Sequence, residues 1–467
     1  MEHATTYETW LSAAREHDAL SGADAWCREH ESPYYDASSV RASIEALRSA
    51  RERGDGLVLA ELLTEDLHRH LNDFWAPELH DRALTGTKHL IERYLDESAA
   101  SMRWLVRNDV VGLTREQKRK RFEMAYEAFG RSALLLSGGG TWGFHHLGVV
   151  KALFEHRLLP HIISGASTGA MVAAGICARS DDELTAMYAD TDTIRLDGLV
   201  PSGWRESLRT GAWLDPEKLY EVLRHNCGDY TFAEAHARSG RTLNISVSPT
   251  RHRQKPRLLT HATSPDVLIA RAAVASSALP GLFPPVTLHK RTRDGSIVDY
   301  LPGETWVDGS LGGDLPKQRL SRLHNVNHFI VSQTNPLVLP FVQHNGRRGV
   351  RATLAGLTGA TVRAQGGLVA DLARRARVPG VVGQVVDQAY ALVKQDYRGD
   401  IDIHPRFHWA SYKKVAGNPT REELARFILE GERAVWPRVA KIRNQTRLGR
   451  TFRECIEVLR REIHTST

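Results

Sequence analysis

The fold of this chain is decided by residues 131–178, RSALLLSGGGTWGFHHLGVVKALFEHRLLPHIISGASTGAMVAAGICA. Within this stretch, short apolar runs alternate with longer segments in which apolar residues recur at helical spacing. The pattern predicts two buried strands, each followed by a helix, over residues 133–136, 144–154, 162–164 and 171–178. Such alternation is typical of βα units, so we expect an α/β core with a mainly parallel sheet flanked by helices.

The same alternation continues on the carboxyl side of this stretch. Further strands are predicted over residues 243–247, 305–307 and 328–332. Outside this core the pattern is helical, and amphipathic helices are expected near 420–435 and 449–462. We therefore predict a helical N-terminal domain over 1–130, an α/β core over 131–335 and a helical C-terminal extension over 336–467.

Helix starts and ends can be recognised in the N-terminal region. Val40, Ile44 and Leu47 share one face of a predicted helix, for which Ser38 or Ser39 is the expected cap. The last helix of the region is expected to begin at the capping-box pair Thr114 and Gln117, to carry an apolar stripe and to end at Gly130; the stripe consists of Phe122, Tyr126 and Phe129. Its basic run 118–121 fits a solvated face better than a site for lipid headgroups.

Composition indicates a globular protein, with 42% hydrophobic and 25% charged residues among 467. A formal charge of +7 is compatible with nucleic acid, an anionic membrane surface or no charged partner, so charge alone decides nothing. The cysteines lie far apart with no CxxC pair, which argues against a disulfide framework or a zinc site and favours a reducing, intracellular compartment. They are Cys27, Cys177, Cys227 and Cys455.

Targeting signals are not recognised in the sequence. The N-terminal residues Met1-Glu2-His3-Ala4 are polar and lack the apolar core of a signal peptide. No window approaches the run of about 18 apolar residues that a membrane span requires. We therefore expect a cytoplasmic protein that associates with a lipid surface peripherally rather than spanning it.

The strongest chemical signal is the GxSxG pentapeptide Gly165-Ala166-Ser167-Thr168-Gly169. The pentapeptide alone is common by chance, but here a predicted strand precedes it and a helix of small residues follows. This setting is that of a nucleophile elbow, which presents the serine hydroxyl at the positive end of a helix dipole. The alternative is a glycine-rich turn with a structural serine, and the context favours Ser167 as a nucleophile.

A second signal, Ser137-Gly138-Gly139-Gly140-Thr141-Trp142-Gly143, also follows a predicted strand and opens a helix. Its glycines leave backbone N–H groups unobstructed at a helix N-terminus, which suits an anion. A phosphate cradle is the rival interpretation, but the Walker Lys-Ser/Thr pair is absent and the dinucleotide fingerprint does not fit. With a GxSxG one βα unit later, Gly138, Gly139 and Gly140 fit an oxyanion hole better.

A third element must activate the serine, and Asp308-Gly309 follows the predicted strand at 305–307. A carboxylate can serve as the base if its pKa and geometry suit, although Asp-Gly is also common turn chemistry, so Asp308 alone fits either role. Asp55, Asp197 and Asp294 also precede glycines but lack the preceding strand. A Ser–His–Asp triad would need a later histidine, and nothing in the sequence marks one as catalytic. The candidates are His324, His328, His344, His404 and His408.

Together and in this order, the glycine triplet with Gly143, the GxSxG pentapeptide and Asp308-Gly309 resemble the patatin-like phospholipase family. The resemblance is closest to the branch with the triacylglycerol lipases of yeast lipid droplets and plant oil bodies, which carries a helical domain of unknown function before the core. Matching stretches cover most of the chain from about residue 85. They are GTKHLI (86–91), the helix at 113–129, HLGVV (146–150), NISVSPT (244–250), ALPGLFPP (278–285), NVNHFIVSQ (325–333), YRGDI (397–401) and GERAVWP (431–437).

The resemblance implies a Ser–Asp dyad without histidine, formed by Ser167 and Asp308, with the oxyanion held near the glycine triplet. The elbow and motif glycines would be Gly143, Gly165, Gly169 and Gly309. In two places the chain departs from plain patatins, which have Asp where this chain has Ser137 and glycine where it has Ser310. Some members of the branch transfer acyl groups through an HxxxxD pattern; His68/Asp73 and His261/Asp266 match it, but so loose a pattern matches by chance.

We therefore expect hydrolysis of a lipid carboxylic ester, namely a triacylglycerol, a phospholipid or a lysophospholipid, through an acyl-enzyme and without a metal or other cofactor. The substrate would be reached at a membrane or lipid-droplet surface, and no nucleic-acid partner is expected. Residues 347–394 fit an interfacial segment and a pair of ordinary surface helices equally well. The alternatives are a non-catalytic lipid-binding or scaffold protein, a lysophospholipid acyltransferase, and a nucleotide-binding protein that uses the glycine triplet.

Overall fold

The computed structural model describes residues 1–69, 74–251, 254–310, 314–336, 338–339, 397–406 and 417–465. The candidate interfacial segment at 347–394 lies outside the described residues. Within the described ranges, no helix has the length and apolar character needed to cross a bilayer.

The N-terminal region is helical, as predicted. Its helices are α1 (Tyr7–Leu20), α2 (Ala23–Arg28), α3 (Ala37–Glu52), α4 (Gly56–Arg69), α5 (His89–Arg107) and α6 (Arg115–Phe129), with a 3-10 turn at Pro77–Leu79. The predicted face of α3 is buried, but the prediction of its cap is wrong. The cap is Asp36, whose carboxylate accepts the backbone N–H groups of Ser38 and Ser39 at 2.9 and 3.2 Å. An aspartate at this position satisfies two orphan donors of the first turn.

Helix α6 begins at the predicted capping box of Thr114 and Gln117 and ends at Gly130. Its basic run agrees with the expectation of a solvated face at Lys120 and Arg121, which are exposed, but not at Lys118. Lys118 is only 2% exposed, and its ammonium donates to the Asn108 carbonyl oxygen at 2.5 Å, so this lysine closes the turn before the helix.

The strands are β1 (Arg131–Leu136), β2 (Ile162–Gly165), β3 (Thr242–Pro249), β4 (Arg257–Leu259), β5 (His289–Arg291), β6 (Ile297–Asp299), β7 (Trp306–Asp308), β8 (Val326–Ser332) and β9 (Ile401–Ile403). In the described chain, the main sheet has the order β4–β3–β2–β1–β8–β9, with β7 also paired to β3. Neighbours from β3 to β9 are parallel, whereas β4 and β7 run antiparallel to β3. The predicted mainly parallel sheet is confirmed, and each predicted strand is present.

Strand register brings the ends of β2 and β7 together. Val247 of β3 pairs with β4 on one edge and with Asp308 of β7 on the other. Two residues earlier, Ile245 pairs with β4 and with Gly165 at the end of β2. Because a strand has only two edges, β2 and β7 follow each other along the same edge of β3. Asp308 therefore lies next to the turn that follows Gly165.

Helices cover both faces of the sheet. They are α7 (His145–Glu155), α8 (Thr168–Cys177), α9 (Asp181–Ala189), α10 (Trp204–Thr210), α11 (Pro216–Cys227), α12 (Phe232–Ser239), α13 (Ile269–Ser276) and α14 (Lys317–His324), with 3-10 turns at Gly140–Phe144 and Thr191–Thr193. Leu134 and Leu136 of β1 belong to the larger apolar core with α7, α8 and α13. Ala133 and Leu135, on the other face, pack with Leu320 of α14. The predicted helices that follow β1 and β2 are confirmed.

The C-terminal helices are α15 (Arg421–Val435) and α16 (Val439–Thr465), joined by a 3-10 turn at Trp436–Arg438. Backbones of α15 and α7 approach so closely that a Cβ on Gly148 would lie 1.8 Å from the Ile428 carbonyl oxygen. Helix α16 instead joins the core of the N-terminal helices, where Phe452 contacts the aromatic stripe of α6 with ring centroids 5.5–6.1 Å apart. Strand β9 also lies in this region and was not predicted. The three-way division of the chain stays a prediction.

Candidate active site

Ser167 occupies a strained turn between β2 and α8. Its backbone has φ 53° and ψ −127°, and it is the N-cap of α8. A non-glycine residue rarely adopts a positive φ, and such strain is found mainly at functional sites. The flanking glycines allow it: a Cβ on Gly165 would lie 2.3 Å from the Gly169 carbonyl oxygen, and one on Gly169 would lie 2.2 Å from that of Leu136. The turn has the geometry expected for a nucleophile elbow.

Hydrogen bonds hold this turn in place. The backbone N–H of Ser167 donates to Ser276 Oγ at 3.0 Å, and the Ser276 hydroxyl donates to the Ser246 carbonyl oxygen at 2.7 Å. The Thr168 hydroxyl donates to the Gly140 carbonyl oxygen at 2.9 Å, which ties the elbow to the glycine triplet. Ser276 was not recognised from the sequence, because its link to Ser167 spans 109 residues and leaves no local pattern.

Asp308 lies beside the elbow, as the register of β7 requires. Its carboxylate is 2% exposed and accepts the Ser310 backbone N–H at 2.7 Å. The side chains of Ser310 and Ser167 lie close enough to the carboxylate to lower its pKa. Burial raises the pKa of Asp308 from 3.8 to about 6, and the Ser310 N–H and these two side chains oppose that rise. Among the described residues, no lysine, arginine or histidine forms an ion pair with Asp308. Burial and the neighbouring serines therefore set the pKa of this carboxylate.

The glycine triplet supplies fewer free donors than predicted. The Gly138 N–H donates to the Asp314 carboxylate at 2.8 Å, so it is already committed to a protein acceptor. Gly139 and Gly140 line the same cavity as Ser167, and no described residue accepts a hydrogen bond from their N–H groups. The oxyanion hole at Gly138, Gly139 and Gly140 stays a prediction, and of these three N–H groups only that of Gly138 already has a described acceptor.

Asp314 is a second buried acid, missed by the sequence analysis. Burial raises its pKa from 3.8 to about 7, the Gly138 N–H lowers it, and the negative charge of Asp308 raises it further. An isolated acid between Gly312-Gly313 and Leu315-Pro316 was the available signal. Its partner, however, lies 176 residues away.

The loop that holds the triplet is supported by three residues outside it, Ser137, His146 and Thr334. The Ser137 hydroxyl donates to the Gly138 carbonyl oxygen at 2.9 Å and accepts the Thr334 N–H at 2.8 Å. His146 is buried and bonds to the Ser137 carbonyl oxygen at 2.9 Å and to Thr334 Oγ1 at 3.1 Å. Ser137, which replaces the aspartate of plain patatins, is thus a structural support for the loop.

The remaining motif glycines lie where side chains would collide. A Cβ on Gly143 would lie 2.5 Å from the Thr168 side chain, and one on Gly309 would lie 2.0 Å from the Ser246 carbonyl oxygen. These glycines therefore serve close packing between the triplet, the elbow and the end of β7.

A cavity of about 590 Å³ opens over these groups, and we call it the Ser167 cavity. Ser167, Asp308 and the three triplet glycines line one part of it. Gly175, Ile176 and Arg179 line it two turns along α8, roughly 12 Å further at 1.5 Å per residue. Most of the remaining wall is apolar: Phe144, Leu147, Met171, Val172, Met187, Ile194, Leu196, Leu199, Leu219, Val222, Leu223, Leu279, Leu282 and Phe283.

The histidine candidates that the structure describes are not part of the lining of this cavity. His324 Nε2 hydrogen-bonds to Asn244 Oδ1 at 2.8 Å, and His328 bonds to Ser132 and Gln445 at 3.0 and 3.1 Å, so both have structural partners. Of the described residues that line the Ser167 cavity, none is a histidine. His344 and His408 lie outside the described residues, as does Asp73 of the HxxxxD match at His68/Asp73. In the second match, His261 stacks on His236 at 3.9 Å, outside the lining of the Ser167 cavity.

Two family models match the chain, and their matches lie between residues 1 and 318. A model described as patatin-like phospholipase matches residues 134–318, which contain the triplet, the elbow and Asp308. A domain of unknown function, DUF3336, matches residues 1–127.

Relatives align over nearly the whole chain. Triacylglycerol lipase ptl3 of Schizosaccharomyces pombe is 33% identical over 95% of this chain and 93% of its own length. Triacylglycerol lipase SDP1L of Arabidopsis thaliana is 33% identical over 98% of this chain and 58% of its own length. Triacylglycerol lipase 4 of Saccharomyces cerevisiae is 31% identical over 95% of this chain. The chain spans only 51% of that last protein.

Proposed function

The chain belongs to the patatin-like phospholipase family, and we propose that it is a serine lipid acyl hydrolase with Ser167 as nucleophile and Asp308 as its base. Family membership confirms the resemblance inferred from the motifs, and the family and its relatives are lipid ester hydrolases. The residue roles are our assignment. The observation that carries it is the placement of the strained Ser167 beside the buried Asp308, a carboxylate with no cation partner among the described residues, on the wall of one apolar cavity.

The first half of the reaction forms an acyl-enzyme. Asp308 accepts the hydroxyl proton while Ser167 Oγ attacks the ester carbonyl carbon, and the carbonyl π electrons move onto its oxygen. The N–H groups of Gly139 and Gly140 stabilise that oxyanion, and the N-terminus of α8 adds the positive end of its dipole. The tetrahedral intermediate then expels the alcohol oxygen, which takes the proton from Asp308.

The second half releases the acid. Water attacks the acyl carbonyl carbon, Asp308 accepts a water proton, and the same donors stabilise the second oxyanion. Collapse of this intermediate returns the proton from Asp308 to Ser167 Oγ and frees the carboxylic acid. A pKa of about 6 suits Asp308 both for accepting the serine proton and for returning it. A carboxylate with the ordinary pKa of 3.8 would accept that proton less readily.

The shape of the cavity favours a long acyl chain. Its apolar wall follows α8 away from Ser167, so a chain esterified at the serine would lie against Val172, Ile176 and Met187. Burying methylene groups there stabilises the complex by about 0.8 kcal/mol each. We therefore propose a long-chain glycerol ester as substrate, with triacylglycerol first because three relatives carry that name.

The nucleotide interpretation of the triplet is disfavoured by charge. Two buried carboxyls, Asp308 and Asp314, lie beside the triplet, and one of them already accepts the Gly138 N–H. A phosphate placed there would be repelled by these groups once they ionise, and no described lysine lines the cavity. Of its two arginines, Arg195 pairs with Asp197, and Arg179 lies beyond the far end of α8 from Ser167.

A lipid panel tests the proposal. Wild type and Ser167→Ala are compared on emulsified triolein, phosphatidylcholine vesicles and lysophosphatidylcholine, with fatty acid release as readout. A labelled lysophospholipid acceptor added to each reaction reports acyl transfer. We expect release by wild type from at least one long-chain glycerol ester and loss of that release in Ser167→Ala. Equal release by both proteins would contradict the assignment of Ser167.

A further inference from the structure

Large apolar side chains are exposed together on one surface of the molecule. Trp204, Leu208 and Trp213 are 70%, 78% and 73% exposed, and Leu279 beside them is 37% exposed. We call these four residues the rim patch. Soluble proteins expose single apolar residues routinely, but a cluster with two nearly bare tryptophans marks an interaction site. Other highly exposed apolar residues, such as Leu20 and Val111, belong to the N-terminal helical region.

Backbone hydrogen bonds hold the rim patch in position. The Ser202 N–H donates to the Trp213 carbonyl oxygen at 2.8 Å, and the Trp213 N–H donates to the Leu282 carbonyl oxygen at 3.1 Å. Helix α10, which carries Trp204 and Leu208, connects these two hydrogen-bonded segments. The segment that carries these exposed side chains is therefore held in place by backbone hydrogen bonds.

The rim patch is continuous with the Ser167 cavity. Leu279 belongs to both, since it is part-exposed and also lines the cavity. Leu282, whose carbonyl oxygen accepts the N–H of Trp213, lines the cavity as well. An apolar path therefore leads from the exposed tryptophans to the groups around Ser167.

Charged residues around the patch suit a lipid interface. The Arg205 guanidinium lies over the Trp204 ring at 5.2 Å, and Arg209 pairs with Glu206. The helix α10 therefore carries one cation in excess of its acids, next to two indoles. Tryptophan with adjacent arginine is favoured at the boundary between headgroups and acyl chains, where the ring is buried and the cation remains hydrated.

We propose that the rim patch is the surface by which this protein docks onto the lipid phase that holds its substrate. The proposal rests on the proposed function, because the rim patch adjoins the Ser167 cavity, to which we assign ester hydrolysis. Docking at this place lets an acyl chain pass from the lipid phase along Leu279 and Leu282 without entering water. The occupant is a membrane or droplet monolayer, and not a second copy of the chain or another protein.

The binding experiment uses the full chain with Ser167→Ala in every sample, so that hydrolysis does not alter the lipid. The patch variant carries Trp204→Ser, Leu208→Ser and Trp213→Ser. The control variant carries Leu20→Ser and Val111→Ser, at positions that are more exposed than those of the patch. Flotation with phosphatidylcholine vesicles and with phospholipid-coated triolein droplets measures partition. We expect the patch variant to partition on the order of 100-fold more weakly and the control variant to match its parent.

Activity and rescue give independent readouts. With Ser167 restored, the patch variant should lose activity on emulsified triolein but keep that on a dissolved short-chain ester, and Trp204→Leu with Trp213→Leu should retain lipid binding. Unchanged flotation of a folded patch variant would overturn the proposal, as would an equal loss in the control variant. A dimer by sedimentation that the patch variant alone dissociates, with lipid binding intact, would assign the patch to self-association instead. Failure of the hydrolase proposal would appear separately, as absent turnover of the dissolved ester with normal flotation.

Discussion

Two clefts lie on either side of α9 and differ in whether their buried charged groups have ion-pair partners. The Ser167 cavity is lined by Met187 of this helix, and a second cleft of about 910 Å³ is lined by the adjacent Tyr188. We call the second the ion-pair cleft. Its charged lining residues are Lys151, Glu155, Arg157, Asp181, Arg241 and Arg453.

Charges in the ion-pair cleft are largely neutralised by neighbours. Lys151 pairs with Glu432 at 2.7 Å, Arg241 pairs with Asp181, and Arg453 lies 3.7 Å from Glu457. In the smaller cavity, by contrast, a fully buried Asp308 has only serine partners among the described residues. Burying a carboxyl without a cation is costly, and such groups concentrate at catalytic sites. The difference supports our proposal that the chemistry takes place at the strained serine and the acid without a cation partner, although their cavity is the smaller of the two.

The largest effect should come from Ser167→Ala. Removing the nucleophile should lower kcat/KM on a dissolved ester by about 10⁴–10⁶-fold, because the acyl-enzyme can no longer form. Steady-state kinetics with a thermal melt checks this. Ser180→Ala is the matched control: Ser180 caps α9 between the two clefts, so its loss should reduce stability by about 1 kcal/mol and spare activity. Comparable activity losses in both variants would contradict the comparison.

Asp308→Asn should have the next largest effect. The amide is nearly isosteric but cannot accept the serine proton, so kcat/KM should fall by about 10³–10⁴-fold with the fold retained. Asp294→Asn provides the control, because Asp294 also precedes a glycine but caps an exposed turn between β5 and β6. Activity of Asp308→Asn within tenfold of wild type would place the base elsewhere.

The pH dependence of activity follows from the two buried acids. Asp308 must be ionised to act as base, so kcat/KM should rise with pH along a limb near its pKa of about 6. Asp308 has the lower pKa and ionises first, and its charge then raises the pKa of Asp314, which is about 7. Because Asp314 is still largely protonated when Asp308 ionises, Asp314→Asn should leave that limb in place. Rate profiles of both proteins measure its position. A limb that moves to lower pH in Asp314→Asn would mean that Asp314 ionises before Asp308.

Stability should depend on pH in the opposite sense. Burial raises both pKa values above the ordinary 3.8, so the folded state holds these protons more tightly than the unfolded state. The stability that they contribute is present below pH about 4 and is lost as pH rises through 6 and 7. Denaturant melts across this range should show a smaller loss for Asp308→Asn than for wild type. An equal loss in both would show that Asp308 does not titrate there.

A smaller effect is expected from filling the far part of the Ser167 cavity. A Cβ on Gly175 would meet only Arg179, at 3.6 Å, so Gly175→Leu should fit α8 and project into the cavity. Long-chain esters should lose about tenfold in kcat/KM relative to short-chain esters, which reach less of the wall. Gly175→Ala, which adds one methyl group, is the control. A chain-length profile identical to that of wild type would remove this wall from the acyl site.

The smallest effect on activity is expected in the ion-pair cleft. Lys151→Met leaves the part-buried Glu432 without its ammonium partner, so stability should fall by about 1–3 kcal/mol. Activity should stay within about twofold, because effects at well-separated sites are independent. Kinetics and denaturant melts on the same preparation measure both. An activity loss of tenfold or more would give the larger cleft a role in the reaction.

The parts of the site recognised from sequence are those with local signatures. The elbow at Ser167 and the triplet before Gly143 each combine a strand, glycines and a helix within about 15 residues, and Asp308 ends a short strand. The supports were missed because they act across the fold. Asp314 reaches Gly138 over 176 residues and Ser276 reaches Ser167 over 109, so each link exists only after the sheet has formed.

The same distinction between local patterns and long-range contacts applies to the fold. The strands and helices around β1 and β2 were predicted because apolar periodicity is a local property. The burial of Lys118 and the cap at Asp36 were missed because several nearby polar residues compete for each role. The packing of Phe452 against α6 joins segments more than 300 residues apart. The apolar pattern of each helix predicts a buried face but does not indicate which distant helix packs against it.

Covalent labelling of the serine tests the central claim most directly. Wild type, Ser167→Ala and Asp308→Asn are incubated with a long-chain fluorophosphonate, and the modified peptide is identified by mass spectrometry. The account predicts one adduct on Ser167 in wild type, none in Ser167→Ala, and labelling of Asp308→Asn that is slower by about 10³-fold. An adduct on another residue, or labelling of Ser167→Ala at the wild-type rate, would contradict it.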